Sequence, residues 1–252
     1  MQQKKIIFLA SDCESSRWVY HALQDTFTFE AIILEQPVSK KTLIKGRLKK
    51  TGTWQVMGQI LFSVLVVPFL KIKAKERKAE LVKLYGLSNS RISHSKLLQV
   101  QSVNDDTCKQ FLEQWQPDII IVNGTRIISK KILQCTPAVF INMHVGITPQ
   151  YRGSHGGYWA LRNHDAARFG TTIHLVDAGV DTGAVLKQVF TVPGKMDNFT
   201  TYPILQVAAG ITALKEVLPG IIAGNFQQTI HNEKGKMYYQ PTLWQYITGH
   251  CP

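Results

Sequence analysis

Short apolar runs bounded by polar or turn-forming residues recur along the chain, at 6–10, 31–34, 119–122, 138–141, 172–176 and 185–192. Between most of them lie stretches with helical spacing or good helix formers. Continuous apolar strands alternating with helices are the pattern of a parallel sheet covered on both faces. The chain therefore predicts a doubly wound, Rossmann-like α/β fold with a mostly parallel sheet. Ser15-Ser16 is placed to cap a helix over 17–25, and Asn104-Asp105-Asp106 to cap one through Phe111, Leu112 and Trp115 that stops before Pro117. Pro203 opens a long apolar helix over 204–218, ended by Pro219-Gly220, which should close the back of the sheet. The organisation expected is a catalytic domain over 1–224 with a helical insertion at about 40–85, followed by a short aromatic extension over 225–252. In that extension Tyr238, Tyr239, Trp244 and Tyr246 read as anchors onto the domain surface.

One segment breaks the pattern. Over 53–70 the chain is apolar on most positions, interrupted by Gln55, Gln59 and Ser63, and bent near its end by Pro68. Roughly 20 apolar residues are needed to span a bilayer, so a spanning helix is not expected. The three polar residues recur every four positions along one stripe. Two readings stay open: an apolar-rich helix lying on an anionic membrane surface or a partner, or one packed on its own domain or on a twin subunit in a homodimer.

Charge sharpens this picture. The chain carries 29 Lys/Arg against 17 Asp/Glu, a net +12. Between Lys40 and Lys78 there are 11 Lys/Arg and one acid, Glu76, a local +10, while the other 18 basic and 16 acidic residues leave only +2. The basic excess thus brackets the apolar helix. The 44% apolar and 18% charged composition is that of an ordinary globular protein. Four cysteines without CxxC spacing suggest neither a zinc site nor a disulfide framework, so no metal is called for and a reducing cytoplasm fits. The N-terminal apolar run is too brief for a signal-peptide core, so it is expected to start the fold.

The candidate chemistry lies past two of the strands. Asn142-Met143-His144 follows one, and Asp177-Ala178-Gly179-Val180-Asp181-Thr182-Gly183 follows another. An amide, an imidazole and a carboxylate gathered in one crevice can stabilise an oxyanion and move protons during attack on a carbonyl carbon. The glycine-rich turn between them, 146–157, lets the backbone approach a ligand closely. Taken alone, each motif reads as an ordinary turn; together they predict an acyl-transfer site.

Asn142-x-His144, then Thr148-Pro149-x-Tyr151-Arg152-Gly153, then Asp177-x-Gly179-x-Asp181-x-Gly183 resembles the catalytic core of the folate-dependent formyltransferases. That resemblance implies Asn142, His144 and Asp181 as the catalytic triplet and N10-formyltetrahydrofolate as the formyl donor. It implies a pterin pocket formed by Gly124, Thr125, Arg126 and Ile127 on one side and Val176, Asp177, Ala178 and Gly179 on the other. Tyr151, Arg152 and Gly153 are the expected acceptor contacts. His174 sits where family members often carry a histidine, though a lone histidine on an apolar strand also reads as a satisfied core residue. His155 reads as a packing or surface residue.

For the acceptor, purine-pathway members usually carry a glycine-rich phosphate loop after the first strand. Here Ser11-Asp12-Cys13-Glu14-Ser15-Ser16, with two acids and no glycine, makes a poor cradle for a phosphate. Formyltransferases of initiator tRNA carry a further barrel domain, for which too little chain follows Gly224, and formyltetrahydrofolate hydrolases carry a regulatory domain before the catalytic one. The basic segment interleaves with an apolar helix rather than with stacking aromatics, so no nucleic-acid partner is expected. What remains resembles the compact sugar N-formyltransferases of surface-polysaccharide pathways. The expected activity is formylation of a nucleotide-linked amino sugar, with another amine acceptor or a non-catalytic docking module as alternatives. The expected location is the cytoplasm, with peripheral contact at the inner membrane through 53–70 under the lipid reading.

Overall fold

A computed structural model describes residues 3–231, 233 and 235–249. The chain opens with β1 (Ile6–Ser11), α1 (Glu14–Gln24) and β2 (Phe29–Glu35). A helical insertion follows: α2 (Lys40–Leu61), a π-helical turn (Phe62–Val66), α3 (Val67–Lys73) and α4 (Lys75–Leu84). The chain then forms β3 (Leu97–Val100), α5 (Asp106–Trp115), β4 (Ile119–Asn123), α6 (Lys130–Leu133) and β5 (Val139–His144). Beyond these lie β6 (Tyr151–Gly153), α7 (Gly156–Arg162), β7 (Gly170–Leu175), β8 (Val185–Phe190), α8 (Tyr202–Ile222), β9 (Lys236–Tyr238) and α9 (Leu243–Thr248).

Seven strands make one sheet in the order β3-β2-β1-β4-β5-β7-β8. The first five pair in parallel. Alternate residues of β1 divide between two cores, as the two-residue period of a strand requires. Phe8 packs with Leu23 of α1 and Leu214 and Leu218 of α8, and Ile7 and Leu9 pack with Cys108 and Leu112 of α5. Helices therefore cover both faces, as the continuous apolar runs predict.

The sheet is mostly parallel, as expected, and its antiparallel part lies at β7 and β8. β7 runs antiparallel to β5 and to β8. The link from β5 to β7 holds β6, the seven-residue α7 and a 3-10 turn over Ala166–Arg168, and the chain re-enters the sheet at the end it left, with Thr172 opposite His144. Apolar runs look the same in either direction, so periodicity alone could not show this.

Two helix ends also shift. α1 begins at Glu14 because the Ser15 and Ser16 hydroxyls turn toward Cys13 and Asn123 instead of capping the helix. α8 continues through Pro219 to Ile222, with Gly224 beyond it in the left-handed region at φ +70°. Pro203 does lie in the first turn of α8, and Asp105 caps α5 by accepting from the Cys108 amide at 2.9 Å.

The insertion and the tail hold each other. α2 breaks at Gly52, with φ 79° and ψ 168°. Beyond the break, Phe62 is fully buried against Phe199 and Tyr246, and Trp54 stacks on Trp244 of α9 at 4.6 Å. The tail is more than a surface anchor. β9 pairs in parallel with β6, and Tyr238 stacks on Tyr151 at 5.4 Å.

Candidate active site

Asn142 and His144 occupy alternate positions at the end of β5 and so share one face of the sheet. Across the sheet, Asn142 stands opposite His174 of β7. Because β7 runs antiparallel, the loop 176–184 starts beside Phe140, where the Val176 amide donates to the Phe140 carbonyl. It then doubles back over β5 to deliver Asp181. Asp181 Oδ2 lies 3.4 Å from His144 Nδ1, and Oδ1 lies 3.6 Å from His174 Nε2.

The hydrogen-bond network orders these groups. His144 Nε2 lies 2.8 Å from the Tyr151 carbonyl, which makes it the protonated nitrogen and leaves Nδ1 toward Asp181. His174 donates from Nδ1 to the Leu175 carbonyl at 2.7 Å, so its Nε2 accepts from the Asn142 amide at 3.1 Å. That bond uses one N–H of Asn142 and leaves the second for another acceptor. Asp181 Oδ2 also accepts from the Gly153 amide at 2.9 Å.

Burial pulls the Asp181 carboxyl upward, but His144, His174 and the Gly153 amide outweigh it and hold the group down at about 2. Burial pushes the His144 imidazole below its ordinary value, and Asp181 and the Tyr151 carbonyl oppose this only in part. The resting pair is therefore an ionised carboxylate facing an unprotonated ring nitrogen.

Two glycines are required by close approach. At Gly146 a Cβ would meet the Tyr151 carbonyl oxygen at 2.4 Å and His144 Nε2 at 2.6 Å. At Gly153, φ is +92° and a Cβ would meet the Tyr238 carbonyl oxygen at 2.3 Å. Asp181 itself sits in the left-handed region at φ 51°, which aspartate tolerates better than most residues.

These groups border a cavity of about 490 Å³, within the range of about 300–1,000 Å³ typical of small-molecule sites. Asn142, His144, His174 and Asp181 line it, with Gly124, Thr125, Arg126 and Ile127 on one wall and Val176, Asp177 and Gly179 on another. Ala178, expected with that second wall, is exposed and lies outside the lining. Gly153 lines the cavity, but its amide is spent on Asp181. Tyr151 does not line it: the side chain is 4% exposed, stacks on Tyr238, and donates its hydroxyl to Asp165. Arg152 instead borders a smaller cavity of about 170 Å³ that shares Asp181 with the first, and donates to the Gly235 carbonyl. The Tyr151 side chain, expected as an acceptor contact, thus lies outside the cavity and its carbonyl braces His144, while Gly153 lines the cavity and braces Asp181.

Three contributions were not legible as site residues. Lys50 reaches the cavity from the insertion, and Met237, Tyr238 and Tyr239 close it from the tail. Glu35, almost fully buried at the end of β2, accepts from the Arg126 amide and guanidinium, both at 2.7 Å, and so fixes the loop after β4. Of these, only Glu35 left a signal, an acid directly after an apolar run. His174, which the sequence left open between a site residue and a core residue, carries the Asn142 contact. His155 is a packing residue, as expected, lying 4.5 Å from Phe199.

The sequence matches the formyl transferase family over residues 61–199, more than half of the chain, and the protein belongs to that family. Among curated relatives, it is 35% identical over 140 residues to methionyl-tRNA formyltransferase of Trichormus variabilis, a match covering 54% of this chain and 41% of that one. The chain thus spans well under two thirds of that relative's length. By fold it is similar to a sugar N-formyltransferase from a Shewanella species, with TM-score 0.56 and 17% identity, covering 93% of this chain and 76% of that one. A similar likeness, TM-score 0.54 at 14% identity over 93% of this chain and 70% of the other, is to the N-formyltransferase of Helicobacter canadensis in complex with folinic acid and dTDP-3-aminofucose.

Proposed function

We propose that the protein transfers the formyl group of N10-formyltetrahydrofolate to the amino group of a nucleotide-linked amino sugar, as a cytoplasmic step toward surface polysaccharide. The observation that carries formyl transfer is the convergence of Asn142, His144 and Asp181 on one cavity whose other walls are loop backbone. Those walls, residues 124–127 on one side and Val176, Asp177 and Gly179 on the other, are the places for the pterin edge. Residues 1–224 form the catalytic domain in this reading, and Met237, Tyr238 and Tyr239 of the extension complete its cavity.

The neutral amine attacks the formyl carbon. The oxyanion that develops accepts the second N–H of Asn142, an interaction typically worth about 10²–10³ in rate. The amine must then lose a proton. His144 Nδ1 accepts it, because Asp181 is already ionised and turns the new N–H into a charge-assisted hydrogen bond. The same proton passes to the departing folate nitrogen as the tetrahedral intermediate collapses.

Support for a sugar acceptor comes from the first strand-to-helix turn and from the charge near the cavity. The turn is fully engaged within the protein: Asp12 pairs with Arg17, Glu14 with Lys78, and Ser15 and Ser16 accept from Asn123. It offers nothing to a ribonucleotide phosphate. Lys50 at the cavity supplies positive charge for a nucleoside diphosphate. The apolar character of the basic insertion argues against RNA as the partner.

The test is a mass-spectrometric screen with folate donor across amino-sugar nucleotides, with phosphoribosylglycinamide and methionyl-tRNA as parallel arms. A gain of one carbonyl mass on an amino-sugar nucleotide supports the reading. Formylation confined to either other arm overturns the acceptor, and no turnover in any arm without folinic acid binding overturns the catalytic assignment.

A further inference from the structure

The helix running from Thr53 through the π-helical turn and α3 buries Val56, Phe62 and Leu70 in the core, and it carries a polar stripe and a second apolar stripe besides. Its polar stripe faces the protein: Gln59, 1% exposed, donates to the Gln240 carbonyl at 2.9 Å, and Gln240 donates to Ser63 Oγ at 2.6 Å. Its second apolar stripe faces solvent. Trp54, Ile60, Val64, Leu65, Phe69 and Ile72 are 42–76% exposed, with Met57 at 43% between the first two, and lie along one side. A helix on a globular protein ordinarily turns its apolar stripe to the core, and a contiguous exposed patch of this kind marks a contact surface.

Charge identifies what covers it. Lys45, Lys49 and Lys50 precede the stripe, and Lys71, Lys73 and Lys75 close it, with no acid from Lys41 to Lys75. Among the described residues, none of these six lysines has an ion-pair partner, whereas Arg77 pairs with Glu80 and Asp197 and Lys78 with Glu14. The carboxylates nearest in sequence, Glu76 and Glu80, lie past the stripe on α4. A second copy would bring two such lysine sets face to face. Nucleic acid would gain nothing from the aliphatic surface between them. A spanning arrangement is barred because Val56, Phe62 and Leu70 on the opposite side are buried in the protein's own core.

We infer that this face docks on an anionic phospholipid bilayer, with the apolar stripe at the acyl boundary and the lysines at both ends among the headgroups. Lys50 belongs to both the basic shoulder and the reaction cavity, so docking sets the cavity beside the headgroups. The assignment does not depend on which amine is formylated.

The test is co-sedimentation of the full chain with vesicles of phosphatidylcholine alone and of phosphatidylcholine mixed with phosphatidylglycerol, at low and high salt. Binding to the mixed vesicles, weakened by salt and much weaker on phosphatidylcholine alone, is expected. Leu65→Glu, Phe69→Glu and Ile72→Glu together should lower partition by at least about tenfold, and Lys71→Glu with Lys73→Glu by roughly tenfold on the mixed vesicles. Unchanged folinic acid affinity shows that the variants are folded. Absence of wild-type binding to either vesicle overturns the inference, as does full binding by the triple-glutamate variant. A dimer that the same variant converts to monomer, without loss of vesicle binding, assigns the face to a second copy instead.

Discussion

Asn142 Nδ2 donates to His174 Nε2 at 3.1 Å across the β5–β7 pair, and His174 is itself held by donation to the Leu175 carbonyl. The amide that meets the developing oxyanion is therefore oriented by a histidine on the neighbouring antiparallel strand. His174→Phe removes the acceptor while keeping a ring of similar bulk. A fall in kcat of about tenfold is expected, with KM for the folate donor nearly unchanged, and His174→Gln, whose side-chain oxygen can accept the same bond, should recover part of it. Steady-state kinetics of the two variants checks this; equal losses in both would assign His174 a packing role.

Asn142→Ala should lower kcat by about 10²–10³ while folinic acid still binds, because the oxyanion donor acts in the transition state rather than on the bound donor. Calorimetric titration beside a turnover assay separates the two quantities.

Asp181→Asn tests the proton path. In the wild type the basic form of His144 is required, so kcat/KM should rise with pH through a value below the ordinary histidine range, as burial dictates. Removing the carboxylate's charge removes the influence that opposes burial, so the acid limb should move lower still while the plateau falls. A limb that moves upward contradicts the assignment.

The same carboxylate has a stability signature. Its folded value, about 2, lies below the ordinary value of 3.8, so its contribution is fully present above about pH 4 and is lost as pH falls toward 2. Denaturant melts across that window should show wild type losing about 2 kcal/mol more than Asp181→Asn.

Arg126→Gln leaves the buried Glu35 carboxylate without its guanidinium partner. A cost of about 2–4 kcal/mol is expected, with weakened folinic acid binding as the loop after β4 loosens. Gly153→Ala should be as damaging by another route: the added carbon meets the Tyr238 carbonyl oxygen at 2.3 Å and strains a left-handed residue whose amide holds Asp181. Thermal melts and turnover measured together check both.

The strand-and-helix alternation, the separation of Asn142, His144 and Asp181 into two motifs, and the basic, apolar insertion were all legible in the chain, because each depends on local composition and short periodicity. Local patterns carry no direction and no partner. The antiparallel turn of β7 set His174 against Asn142, and the doubling back of 176–184 brought Asp181 over His144; neither leaves a trace in spacing. Lys50 and Tyr238 join the cavity, and Glu35 braces its Arg126 wall, through contacts far apart in sequence. The stripe of Gln55, Gln59 and Ser63 was visible at once, yet a helical period cannot say which side faces the core. Tertiary packing decided that Gln59 and Ser63 would meet Gln240 of the tail and that the apolar side would face outward, because those polar groups gain their hydrogen bonds only where the two distant segments touch.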